Sequence, residues 1–251
     1  QFLTLITNEA FSGFDVWLTT DQGVPPAYGD QFVIGAKTQP WEGYGFDVEL
    51  YYRNMRDLFE LDPFLPDAAG VDYSRLFRFG TGYALGAEFL FEKSIGRLTG
   101  YLGYTISATR RKYPNYNEPI GSSNARFYPP KYDRSHDVNL VLDYRLSSRW
   151  KTTAVFSYAT GQAYTKPLGR AISFDTPFSS QPTDQLLVGK VNASQLPAYH
   201  RLDVSFARTG TFFGIGDAEW QFQVINLYSR QNVWFYNFDL DENPIERNEV
   251  T

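Results

Sequence analysis

The sequence contains no cysteine, and its 251 residues include only two histidines and one methionine. A disulfide scaffold, a thiolate zinc site and a cysteine nucleophile are thereby excluded. Basic residues form no block within a chain of net charge -5, so we expect no nucleic-acid partner. A membrane-spanning helix needs about 20 consecutive apolar residues. No such run occurs in this sequence, whose mean hydropathy is -0.37.

Aromatic residues, in contrast, make up 18% of the chain although only 43% of it is hydrophobic. They recur in two-residue alternation, which is the period of a β-strand. Along residues 82–93 one face carries Tyr83, Leu85, Ala87, Phe89 and Phe91, and the other carries Gly82, Gly86, Glu88 and Glu92. The segment Arg97–Ser107 alternates in the same way, and the short link Ser94–Gly96 between the two predicts a β-hairpin.

Three further hairpins are predicted from the same pattern. They pair Gln31–Lys37 with Tyr44–Arg53, Asp137–Leu146 with Trp150–Thr160, and Arg201–Arg208 with Glu219–Tyr228. A longer connection, Thr209–Ala218, separates the last two strands. Their alternation slips after Val224, which predicts a bulge or an early strand end there.

Three of the four hairpin turns are short, whereas the links between hairpins are long and hold most of the Pro, Asn and Asp. These links are residues 8–29, 55–80, 110–135, 161–197 and 230–251. Short turns alternating with long loops, on strands of about 10 residues, are typical of an outer-membrane β-barrel with short periplasmic turns and long extracellular loops. Such strands cross hydrocarbon only as a closed sheet, because lipid offers the backbone no hydrogen-bond partners. The alternative is a soluble β-sandwich or lipocalin-like barrel, whose apolar face turns inward.

Several segments share an order and spacing that point to one family. They are GYALGAEFLFEK at 82–93, GRLTGYLGYT at 96–105, PPKYDRSHD at 129–137, LPAYHRLD at 196–203 and NLYSRQN at 226–232, with Asp15-Val16-Trp17 and Pro25-Pro26 upstream. In these residues the chain resembles the barrel of TonB-dependent outer-membrane receptors. The resemblance runs across nearly the whole chain.

The resemblance implies a nutrient transporter of the bacterial outer membrane rather than an enzyme, with no cofactor and no metal. Members of the family are 22-stranded barrels closed by an N-terminal plug domain. They import iron chelates, cobalamin, glycans or peptides with energy relayed by TonB. The implied partners are outer-membrane lipids, a plug domain of the same parent chain, TonB through a missing N-terminal part, a small ligand and, as in some members, a surface lipoprotein.

This chain departs from the family pattern in its extent. It shows no plug, no TonB-contacting segment and no final aromatic-ended strand. It offers about nine strands, a partial one at Gln1–Thr7 included. We therefore expect an all-β fold in which residues 1–251 are the C-terminal part of one transmembrane antiparallel β-barrel domain, with the last strand or strands missing.

Two groups of residues are candidates for the functional site. Those expected to face the lumen or contact the plug are Asp47, Glu49, Arg53, Glu88, Asp143, Arg145, Arg201 and Asp203. Those expected in an extracellular ligand loop are Tyr113, Asn115, Tyr116, Asn117, Phe127 and Tyr128. Exposed rings beside amides are able to stack on a sugar or chelate, and loop–loop packing is the alternative for each. Aromatics near strand ends, among them Trp41, Tyr44, Tyr104, Tyr144, Trp150 and Trp220, are expected in interfacial girdles.

Other functions remain open at this point. A passive pore or adhesin-like barrel would lack energy coupling. An outer-membrane enzyme would need a serine within reach of His200 or of His136, the latter paired with Asp133 or Asp137. The structural alternative is a hydrogen-bonded cluster where each of these strands begins. The spacing of Asp239, Asp241 and Asn243 resembles the start of a calcium loop, but the glycine and the distant glutamate are missing, which favours a solvated acidic loop.

Overall fold

The computed structural model describes residues 2–6, 15–20, 23–61, 77–114, 117, 125–173, 183–239 and 246–251. The regular secondary structure of these residues consists of β-strands and includes no helix, which confirms the all-β prediction. None of the described residues belongs to a helix that is long and apolar enough to cross a membrane.

Eight strands form one large antiparallel sheet. They are β3 (Tyr28–Trp41), β4 (Tyr44–Leu61), β5 (Phe77–Lys93), β6 (Leu98–Lys112), β7 (His136–Arg145), β8 (Trp150–Ala159), β13 (Tyr199–Phe212) and β14 (Gly216–Val224). The order across the sheet is β14-β13-β8-β7-β6-β5-β4-β3, so strands that follow one another within this set of eight are also neighbours in the sheet. All four predicted hairpins are therefore present.

Four smaller pairings complete the described strands. They join β1 (Phe2–Ile6) to β2 (Asp15–Thr19), β9 (Ala163–Tyr164) to β12 (Ser194–Gln195), β10 (Pro167–Ser173) to β11 (Thr183–Val188), and β15 (Phe235–Asp239) to β16 (Glu246–Val250). Three of these pairs lie in segments that were expected to be links without strands. β9 and β12 have only two residues each, and β10 contains Pro167 and Gly169, so these segments show no two-residue alternation long enough to predict a strand.

The turns at one end of the sheet are short. They comprise residues 42–43, 94–97, 146–149 and 213–215. Gly43 and Gly96 have φ values of 72° and 88°, a left-handed backbone that glycine adopts without steric cost. The expectation of a long connection after Arg208 was wrong, because β13 and β14 stay paired from Thr209↔Glu219 down to Phe212↔Gly216.

At the other end the strands run further than expected. β4 continues to Leu61 and β5 begins at Phe77, inside the link placed at 55–80. The alternation of apolar residues stops after Tyr52, because Asn54 and Arg56 take its next positions, and the strand end was therefore predicted too early. Further along the strand, Asp57 has a φ of 52°. The early end of β14 after Val224 was predicted correctly, since Asn226 and Ser229 also have positive φ.

The chain divides into two compact units, and β3–β6 contribute residues to both. The first unit comprises residues 1–32, 52–84 and 109–128, with Val24, Phe77, Tyr113 and Tyr128 buried. The second unit comprises residues 33–51, 85–108 and 129–251, with Ala159, Ala163, Leu196 and Ala207 buried. Few large apolar side chains of the described residues are buried in either unit, and many are exposed.

Candidate functional site

One face of the sheet in the second unit is apolar and ends in a row of aromatic side chains near the long loops. The backbone register aligns Tyr104 with Val138, Val138 with Tyr158, and Tyr158 with His200. The next row toward the short turns aligns Leu102, Leu140, Phe156 and Leu202. Because strand side chains alternate between faces, all of these side chains point to one side of the sheet.

The same face ends in tryptophans near the short turns. Arg208 lies opposite Trp150 of β8 and opposite Trp220 of β14. The adjoining row contains Tyr144, Thr152, Phe206 and Phe222. The row of Arg208 and the row of His200 are separated by about 26 Å along β13, at about 3.3 Å per residue. An apolar surface thus lies between two rows that are rich in aromatic rings.

The apolar face is exposed rather than packed against other described elements. Trp150, Phe206, Trp220 and Phe222 are 46%, 44%, 62% and 67% exposed. Leaving a Phe or Leu side chain in water instead of burying it forgoes about 1.5–3 kcal/mol. A contiguous exposed apolar surface of this kind marks a site of contact with a membrane or another protein.

The opposite face is polar, and four of the predicted lumen residues lie on it by register. Asp143 pairs with Thr153, Arg145 with Lys151, Arg201 with Ser157 and Asp203 with Val155. The Thr153 hydroxyl donates to the Asp143 carboxylate. Lys151 Nζ and Glu219 Oε2 are 3.1 Å apart. Charges on this face therefore bind one another across strands.

The other predicted lumen residues also occupy polar surroundings. In the second unit Lys37 Nζ is 3.7 Å from Asp47 Oδ2, and Glu49 packs over Gly35. Glu88 precedes Phe89, whose ring stacks on Tyr104 of the apolar face, so Glu88 points the other way. In the first unit Arg53 donates through Nε to Gln31 Oε1 at 2.9 Å. That these residues line a lumen stays a prediction.

Each histidine is paired with a tyrosine. His136 Nδ1 is 2.9 Å from the Tyr104 hydroxyl, and the two rings are nearly parallel at 9°. His200 Nδ1 is 2.7 Å from the Tyr228 hydroxyl. Asp137 lies on the face opposite to His136, since consecutive strand residues alternate. This arrangement favours the structural alternative over a triad that uses Asp137.

The predicted ligand-loop residues fall into different environments in the first unit. Tyr113 and Tyr128 are 0% and 4% exposed, with ring centroids 6.3 Å apart, so they pack inside the first unit and do not face solvent. Phe127 is exposed, contacts the Tyr83 ring edge-on at 5.3 Å, and carries Lys112 Nζ 5.1 Å above its ring. Asn117 is described with a φ of 54°. Asn115 and Tyr116 lie outside the described residues.

The carboxyl group of Glu60, in the first unit, has a raised pKa. Glu60 Oε2 lies 3.6 Å from Arg111 Nη1. Burial raises the pKa of Glu60, while Arg111 and a hydrogen bond from Tyr113 oppose that rise. In the second unit, burial lowers the pKa of Lys131.

No cluster of three or more potential metal-ligating side chains occurs among the described residues. Of the calcium-like spacing, Asp241 and Asn243 lie outside them. The sequence analysis did not select Arg208 as a candidate site residue. Its charge could have identified it, because it interrupts the apolar positions that run through Val204 and Phe206 on β13.

No protein-family model matches this sequence, and no curated protein matches it either.

Proposed function

We propose that the eight-stranded sheet is part of a β-barrel of the bacterial outer membrane, and that the protein is a TonB-dependent transporter that imports a scarce nutrient. The ligand class is an iron chelate, cobalamin, a glycan or a peptide. The apolar face supports the membrane assignment. The resemblance of five sequence segments to TonB-dependent receptors supports the transport activity.

The single observation that carries the membrane assignment is the exposed apolar surface bounded by two aromatic rows. A strand tilt of about 40° reduces the spacing of about 26 Å to about 20 Å along the membrane normal. The apolar band of an outer-membrane barrel is about 25 Å tall and is flanked by aromatic girdles. Trp150 and Trp220 therefore belong to the periplasmic girdle, and Tyr104 and Tyr158 to the outer one.

The two ends of the sheet support the same orientation. The four turns at one end have two to four residues, as periplasmic turns do. At the other end the connections between hairpins are long, and the connection between β8 and β13 carries the strand pairs β9–β12 and β10–β11. In this proposal the long segments capture the ligand, and the polar face with Asp143, Arg145, Arg201 and Asp203 lines the lumen and contacts a plug domain.

The membrane part is tested by fractionating cells and comparing boiled with unboiled samples on a denaturing gel. We expect the protein in the outer-membrane fraction, with a band that shifts on boiling because the barrel stays folded in detergent until heated. Recovery in the soluble fraction without a heat shift contradicts the proposal and returns the fold to a soluble β-sandwich.

Energy coupling is tested by growth on one limiting nutrient from each ligand class. Deleting the gene for this protein and deleting TonB should abolish growth on the same nutrient. Uptake that persists without TonB supports the alternative, a passive pore, and cell adhesion without uptake supports an adhesin-like barrel. An outer-membrane enzyme would lose turnover in His136→Ala or His200→Ala while keeping its heat-shifted band.

A further inference from the structure

Arg208 is a positive charge within the apolar face at the short-turn end of the sheet. Its exposed side chain lies between Trp150 and Trp220 in register. Among the described residues no carboxylate forms an ion pair with Arg208. Glu219, the residue before Trp220, lies on the polar face and pairs with Lys151 at 3.1 Å.

Aromatic rings flank this charge in an open surface cleft of about 570 Å³. The lining residues are Trp150, Phe206, Arg208, Trp220, Gln221 and Phe222. The guanidinium carbon is 5.6 Å from the centre of the Trp150 ring, within range of a cation–π interaction. Below it, the ring of Phe212 packs on Trp220 at 6.1 Å.

The chemistry of this cleft fits a molecule that is anionic at one end and apolar at the other. A charge on a lipid-facing surface is costly unless a counter-charge or water compensates it. The guanidinium group matches a phosphate geometrically, because its planar fork donates two parallel hydrogen bonds. Tryptophan favours the level of the headgroups, where its ring is in apolar surroundings and its N–H reaches polar atoms.

We propose that the cleft binds the phosphate of an anionic phospholipid of the periplasmic leaflet. Arg208 binds the phosphate, Trp150 and Trp220 flank the headgroup, and the acyl chains cover Phe206 and Phe222. Charge complementarity selects this occupant, since the cleft offers a cation and no described carboxylate to hold the choline of a zwitterionic lipid. The proposal rests on the membrane assignment above and adds to it a binding site and a class of lipid.

The test measures quenching of tryptophan fluorescence by brominated lipids in vesicles that contain the full-length protein. Trp17, Trp41 and Trp234 are replaced by phenylalanine, so that only Trp150 and Trp220 report. The vesicles are equimolar mixtures of phosphatidylglycerol and phosphatidylcholine, and in each sample only one of the two lipids is brominated. We expect about a five-fold preference for phosphatidylglycerol, the factor that corresponds to about 1 kcal/mol per basic side chain at an anionic surface.

Two variants identify Arg208 as the cause. In Arg208→Gln the preference should fall close to one. In the matched control Lys151→Gln, which removes a positive charge from the adjacent row but on the polar face, the preference should stay near five-fold. If Arg208→Gln lacks the heat-shifted band of a folded barrel, Arg208→Lys and a salt titration replace it. The preference should then be lower in Arg208→Lys and should disappear at about 1 M salt, where charges are screened within about 3 Å.

The failures of the two proposals are distinguishable. Equal quenching by both lipids in the parent, or an unchanged preference in Arg208→Gln, overturns the lipid site and leaves the membrane assignment standing. Where Arg208→Lys and the salt titration are used instead of Arg208→Gln, the lipid site is also overturned if the preference for phosphatidylglycerol is unchanged in Arg208→Lys and persists at about 1 M salt. Absence of quenching by either lipid overturns the membrane assignment and the lipid site together.

Discussion

The carboxylate of Asp203 accepts the backbone N–H of Asn226 at 2.8 Å and so fixes the point at which β14 ends. The second carboxylate oxygen is 3.0 Å from Arg201 Nη2, and Asp203 is only 7% exposed. Asn226 has a φ of 55°, and its side-chain amide binds both the carbonyl and the N–H of Arg230, at 3.0 Å and 2.9 Å. These hydrogen bonds hold the chain against β13 where strand pairing has stopped.

Replacing Asp203 should therefore destabilise this end of the sheet. Asp203→Ala leaves the N–H of Asn226 and the guanidinium of Arg201 without their acceptor, at a cost of about 1–3 kcal/mol. Asp203→Asn keeps one acceptor oxygen and should lose less. The control is Glu219→Gln, an exposed ion-pair residue expected to change stability by less than about 1 kcal/mol. Urea unfolding in detergent measures all three, and equal losses in Asp203→Ala and Glu219→Gln would contradict this role.

A new charge should impair folding when it is placed on the apolar face of β7 and should be tolerated on the polar face. Leu140→Arg places a guanidinium in the middle of the apolar face, which costs about 2–4 kcal/mol at the centre of a bilayer. Val141→Arg places the same group one residue further on, but on the polar face, where water solvates it in the proposed barrel. The measurement is the fraction of protein that folds into vesicles, read from the heat-shifted band. Equal folded fractions of the two variants would contradict the assignment of the apolar and polar faces.

Two glycines of the apolar face should differ when a methyl group is added. At Gly100, with a φ of 146°, an added Cβ would lie 2.0 Å from the carbonyl oxygen of Val141. Gly100→Ala should therefore destabilise the β6–β7 pairing. At Gly210 no atom lies within 4 Å of an added Cβ. Gly210→Ala should stabilise by about 0.4–1 kcal/mol, because it restricts the unfolded chain. Thermal unfolding compares the two, and a stabilised Gly100→Ala would be the contrary outcome.

The stability of the first unit should fall as pH rises above 4.5. Glu60 lies sixteen residues after Tyr44, the first residue of β4, about 53 Å along the strand and thus beyond the band that we propose lies in the membrane. Its pKa is raised in the folded protein by burial. The folded state therefore holds a proton that the unfolded state has already released. The resulting stabilisation is complete below 4.5 and is lost as pH rises through the raised value.

Glu60→Gln removes this titration and should flatten the dependence of unfolding on pH above 4.5. The effect is small because 42% of the side chain is accessible and Arg111 compensates part of the charge. The control Asp30→Asn removes a more exposed carboxylate, paired with Arg56 at 2.8 Å, and should leave the slope in place. Urea titrations at several pH values decide, and a slope that is unchanged in Glu60→Gln contradicts the assignment.

The sequence alone predicted the eight strands of the large sheet, their two faces and three of its four short turns. The reason is that side-chain alternation is a local property: Leu140 and Asp143 fall on opposite faces of β7 whatever the strand pairs with. Short glycine-containing turns such as Glu42-Gly43 are equally local. The predictions failed where local signals were interrupted, as at Asn54 and Arg56 in β4 and in the segment 161–197.

Only the tertiary structure decided which side chains meet across strands. The register places Arg208 between Trp150 and Trp220, residues far apart in the sequence, and no alternation pattern specifies that alignment. It also buries Tyr113 and Tyr128, two aromatic loop residues that the sequence could not distinguish from the exposed Phe127. The two-residue alternation along a strand determines which face of the sheet a side chain occupies. The pairing of strands that are distant in the sequence determines which side chains lie next to it.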